Sequence, residues 1–157
     1  MGLLIHIVHL LAAVFWVGGA VTLTIVAVPT ITRLQGAERA ASLRTLGRRW
    51  RVFGWGSLVL ALATGLAAAA QNHAFHAHRL FHTEFGIVLL IKSFLVVLLV
   101  AAAAAHDFWL GPRLSRQLRE GRPPTARPPL VLVGRLSLLL ALAVPVLGVV
   151  VSQLLHD

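Results

Sequence analysis

Four long apolar stretches separated by short polar connections set the pattern of the chain: residues 3–28, 52–70, 84–110 and 130–155. Each has the roughly 20 residues that a helix needs to cross a hydrocarbon core of about 30 Å. The first stretch ends at Pro29, has no basic n-region and is too long for a signal-peptide core, so it reads as a span. The pattern predicts one domain over 1–157, an all-α integral membrane four-helix bundle running up-down-up-down.

The connections alternate in character. Arg33, Arg39, Arg44, Arg48, Arg49 and Arg51 lie between spans one and two, and Arg113, Arg116, Arg119, Arg122 and Arg127 between spans three and four. Across the membrane, Met1, the 71–83 loop and the C-terminus carry Arg79 alone. Arginine is retained in the cytoplasm, so the expected orientation is N-out, C-out. In a bacterium this is the inner membrane, with both termini periplasmic. The 32–50 connection, TRLQGAERAASLRTLGRRW, is expected to form a short interfacial helix lying at the cytoplasmic surface, with Trp50 and Trp55 near the headgroups. The four prolines of GRPPTARPP at 121–129 predict an extended, stiff tether. No internal repeat stands out.

Composition strengthens the membrane reading. Of 157 residues 58% are hydrophobic and 12% charged, with a mean hydropathy of +0.85, too little polar surface to face water all round. The net charge of +9 is arginine placed between apolar runs, the habit of a membrane protein rather than a nucleic-acid binder. Cysteine is absent, so any metal or cofactor falls to histidine, lysine, methionine or carboxylate.

Histidine is segregated opposite to arginine. His6, His9, His73, His76, His78, His82 and His156 map to the outer half, and His106 alone to the cytoplasmic half. Imidazole binds copper, zinc or nickel well, so His6, His73, His76, His78 and His82 form a candidate metal-capture set. The competing reading is a polar loop at home in the interface.

Within the spans, His9, Lys92, Asp107 and Arg135 draw attention, because an ionisable group in hydrocarbon costs at least ~2.5–3.5 kcal/mol. His9 lies ~9 Å below the outer end of span one and Lys92 ~12 Å below that of span three, at 1.5 Å per residue. One depth for both suits a cofactor held between helices, such as haem b. The alternative is that Lys92 snorkels and His9 bonds a neighbouring helix. At the cytoplasmic end Asp107 and Arg135 are expected to pair, with His106 close by. The glycines Gly18, Gly19, Gly54, Gly65, Gly86 and Gly148 suit close helix approach, and Pro145 a kink.

His9-Leu-Leu-Ala-Ala-Val-Phe-Trp16-Val-Gly-Gly19 resembles the opening of the copper resistance protein D (CopD) family. Gly47-Arg-Arg-Trp-Arg-Val-Phe-Gly-Trp55, Thr64-Gly65, Lys92, His106-Asp-Phe-Trp-Leu-Gly-Pro-Arg-Leu114 and Gly134-Arg-Leu follow in the order of its small, stand-alone members. The resemblance implies a role in copper tolerance or uptake. His9 and Lys92 are also similar in placement to the haem ligands of HemJ-type protoporphyrinogen oxidases. The arginine of that pattern before the lysine, and its Asn-Glu-x-Pro near helix four, have no counterpart here. The leading expectation is a membrane protein that captures copper at its outer face and passes it inward or reduces it with haem. A HemJ-like oxidase and a non-catalytic accessory subunit are the alternatives. A periplasmic copper carrier and a homodimer are compatible partners.

Overall fold

The computed structural model describes residues 2–71 and 77–154. Four helices long and apolar enough to cross a membrane account for most of them: α1 (Gly2–Thr32), α2 (Gly36–Gln71), α4 (Glu84–Arg119) and α5 (Arg127–Gln153), with the short α3 (Ala77–His82) before α4. Among the described residues there are no strands. All four long helices supply residues to one core: Trp16 from α1, Leu58 from α2, Leu99 and Ala103 from α4, Leu140 and Ala141 from α5. The outer faces stay apolar and exposed, with Leu3 at 77%, Leu132 at 69% and Val97 at 65%. A soluble bundle hides such residues; here lipid is the solvent that makes their exposure cheap. The protein is a multi-pass membrane protein.

Helices α1 and α2 form one hairpin across a three-residue connection, and Gly36, at φ +51°, permits the reversal. Helices α4 and α5 form the second. The hairpins meet where α1 touches α5 and where the start of α2 packs on the end of α4. The Thr83 side chain starts α4 by accepting from the Gly86 amide at 3.1 Å, a standard N-cap.

Two expectations are corrected. The helix over 32–50 does not lie apart on the surface: from Gly36 it is continuous with the second span, 36 residues in one rod. At ~1.5 Å per residue that rod outruns the hydrocarbon by several turns. No glycine or proline breaks its path with a turn, and its lower part rests on the equally extended end of α4. The proline tether is shorter than expected. Gly121, at φ +63°, ends the preceding helix, and Pro128 and Pro129 sit in the first turn of α5, where a missing N–H costs nothing.

Both hairpins share a local feature. π-helical stretches at Leu23–Ala27 and Ala105–Leu110 each end two residues before a proline, Pro29 and Pro112. A proline offers no N–H to the carbonyl four residues back and crowds it. Those carbonyls belong to Ile25 and Phe108, inside the two widened stretches, so the extra residue per turn absorbs the clash without ending the helix. Pro145 stands instead within the α-helical run of α5.

Candidate functional site

The histidine end is fixed by a contact between α1 and α2: a side chain added at Gly2 would meet Gln71 Oε1 at 3.5 Å. The first turns of α1, carrying His6 and His9, thus stand beside the end of α2, from which the chain leads to α3. His6 Nδ1 donates to the Gly2 carbonyl at 2.8 Å. His9 Nδ1 donates to the Ala61 carbonyl at 2.8 Å, with Thr64 Oγ1 at 3.2 Å. A carbonyl only accepts, so Nδ1 carries the proton and, in the neutral ring, Nε2 keeps its lone pair. Nε2 is thus the atom each neutral ring would offer to a metal, and the oxygen behind Nδ1 holds the ring's orientation.

On α3, His78 and His82 are one helical turn apart and their rings stack, centroids 5.2 Å apart and nearly parallel at 13°. Of the expected metal set, His6, His78 and His82 are thus at this end of the bundle, while His73 and His76 fall outside the described residues. Among the described residues no group of three or more histidine or carboxylate side chains converges.

His9, Lys92 and His106 each face a glycine of another helix. A Cβ on Gly65 would lie 3.0 Å from His9 Cε1, one on Gly148 3.3 Å from Lys92 Nζ, and one on Gly134 3.3 Å from His106 Nε2. Of the glycines expected to allow close helix approach, Gly65 and Gly148 leave room for these half-buried polar groups, Gly19 and Gly54 for the Trp50 ring, while Gly18 faces open space. His9 and Lys92 are both half-buried. His9 packs across the α1–α2 seam and Lys92 across the α4–α5 seam. Two pockets open at the arginine end, and neither touches His9 or Lys92. Each of the two side chains is thus seated on a neighbouring helix.

At the arginine end Asp107 is joined by His106, expected close by, and by Trp55, which the sequence did not suggest. Its Oδ2 accepts from Trp55 Nε1 at 3.1 Å and its Oδ1 from His106 Nδ1 at 2.8 Å. Arg135, the expected partner, is exposed, and the ion pairs among the described residues are His106–Asp107 and Arg122–Glu120. Each oxygen of Asp107 thus has one donor, an indole and an imidazole in place of the expected guanidinium. Depth carried the missed signal: Trp55 and Asp107 each lie three residues from the arginine-side end of their apolar stretch. Trp55 also packs on Phe108, centroids 5.1 Å apart, and Arg51 lies over the same ring at 6.0 Å.

The family model described as copper resistance protein D matches residues 44–152. That range holds Lys92, the stacked histidines and the Trp55–Asp107–His106 chain; His6 and His9 precede it. No curated protein and no solved structure matches the chain.

Proposed function

The chain belongs to the copper resistance protein D family, and from that premise we propose that it takes copper at its histidine end and passes the ion into the bundle. The observation that carries this reading is the common state of His6 and His9. Both rings hold Nδ1–H on a carbonyl and leave Nε2 to ligate, one helical turn apart along α1. An i, i+4 pair such as His78 and His82 is close enough to share one ion once its rings turn edge-on, and imidazole suits copper in either oxidation state. Copper is the cargo here. It meets the exposed pair and His6 first and His9 next, ~4.5 Å further along the axis at 1.5 Å per residue.

In the proposed orientation the arginine end is cytoplasmic and the histidine end periplasmic, where a soluble copper carrier is the expected donor. Lys92 lies on the other hairpin, against Gly148 of α5.

The test is copper uptake into vesicles that contain the purified full chain and a trapped copper-sensitive dye. His78→Ala/His82→Ala should slow uptake at low copper and leave it intact at saturation. His9→Ala should slow it at every concentration. Uptake unchanged in both variants, with the protein folded, overturns the reading.

A further inference from the structure

At the arginine end the charge balance is lopsided. Twelve of the thirteen arginines lie in this half of the molecule, against the carboxylates Glu38, Asp107 and Glu120. Asp107 is already engaged by Trp55 and His106. Arg39 even keeps a buried Nε without a hydrogen-bond partner among the described residues. The protein by itself does not neutralise this end, so an anion from outside is expected somewhere on it.

The α4–α5 turn offers a shaped place. A pocket of about 520 Å³ opens there, with Arg113, Arg116 and Arg122 around it and Glu120 as its one acid. Arg113 and Arg116 are three residues apart on α4 and so share a face. Arg122 is brought back towards them by the turn at Gly121, φ +63°. Gln117 ties the turn down at three points: its Nε2 donates to Thr125 Oγ1 at 2.7 Å, its Oε1 accepts from the Ala126 amide at 3.1 Å, and its carbonyl accepts from the Arg122 amide at 3.0 Å. The backbone that carries the arginines is therefore held before any ligand arrives. Arg122 pairs with Glu120 at 3.2 Å, but its side chain is 73% exposed; such a pair is weak and readily shared.

The floor differs from the rim. Leu110, Ala126 and Pro129 add apolar lining to the pocket; Trp109 precedes Leu110 and Leu132 follows Pro129 by three residues, towards the spans, and both are exposed, at 65% and 69%. The guanidinium of Arg113 lies over the Trp109 ring at 5.8 Å, the aromatic-plus-arginine arrangement of a headgroup layer. Three guanidiniums and one carboxylate leave two net positive charges facing outward above a greasy wall.

We infer that this pocket binds a phosphate group, and that the phosphate is the headgroup of an anionic phospholipid whose acyl chains lie along Trp109 and Leu132. Arginine forks match phosphate oxygens in pairs, basic pockets between transmembrane helices are where such headgroups lodge, and the apolar floor selects a lipid over a free anion. This inference stands apart from the copper reading.

Delipidated protein in nonionic detergent is titrated with phosphatidylglycerol, with phosphatidylcholine of the same chains and with inorganic phosphate, and bound molecules are counted by native mass spectrometry. Phosphatidylglycerol should be retained in preference to phosphatidylcholine. Arg113→Gln/Arg116→Gln should weaken that retention by about 30-fold, from the usual gain per basic residue near a lipid surface. Arg44→Gln/Arg48→Gln, the same charge removed from α2, should leave it nearly unchanged. Inorganic phosphate that competes at the concentration of the lipid would keep the phosphate site and assign it to a soluble ligand. Equal loss in both double variants, or no preference in the wild-type protein, overturns the inference; the second result needs no variant to fold.

Discussion

The indole of Trp50 fills the volume that a side chain on Gly19 would occupy: a Cβ built at Gly19 falls 2.5 Å from the ring. The same ring blocks Gly54, at 2.7 Å, and tilts against Trp16 with centroids 6.4 Å apart. One aromatic plate from α2 is thus the joint between α1 and α2, and two glycines are its slot.

Gly19→Ala should therefore destabilise the protein by about 1–3 kcal/mol, the usual cost of overpacking against a ring that cannot bend away. Gly18→Ala, whose new methyl meets nothing within 4 Å, should be neutral or slightly stabilising, because alanine is the better helix former. Thermal unfolding in one detergent compares the two neighbours directly, and equal melting temperatures would remove the slot.

Removing the Asp107 carboxylate leaves two donors, Trp55 Nε1 and His106 Nδ1, without their acceptor. Asp107→Ala should cost more than Trp55→Phe, which leaves a lone carboxylate oxygen still bonded on its other side; an unmet buried donor costs about 1–3 kcal/mol. Chemical denaturation of both variants gives the order. A larger loss in Trp55→Phe would mean that ring packing, not the hydrogen bonds, holds this corner.

Gly65 and Gly148 face different kinds of group. At Gly65 an added methyl meets a ring carbon of His9 at 3.0 Å, and that ring is anchored on Ala61. At Gly148 it meets the tip of the flexible Lys92 chain at 3.3 Å, which moves aside at small cost. Gly65→Ala should lower the melting temperature and slow copper uptake, whereas Gly148→Ala should change both little. The opposite ranking would show that Lys92 is the more firmly seated of the two.

The proposed orientation makes its own prediction. An alkaline phosphatase fusion at residue 75 should be active, as expected for a periplasmic position, and one at residue 121 inactive. Reversed activities would put the histidine end inside the cell and with it the copper-receiving face.

Span number and the separation of arginine from histidine are readable along the chain, because hydrocarbon thickness and charge insertion act on each segment by itself. The extension of α2 down to Gly36 is not. An arginine-rich helix with this composition looks suited to a surface, yet it runs on in line with the span and packs on the end of α4. Partner choice is likewise tertiary. Asp107 could be read as needing a positive charge, yet Trp55 and His106 satisfy it, since rotation of α2 about its axis decides which group arrives. Counting along the spans puts His9 and Lys92 at similar heights, but a helix face is an angle as well as a height. That angle, set by how the two hairpins pack, turns one side chain towards Gly65 and the other towards Gly148.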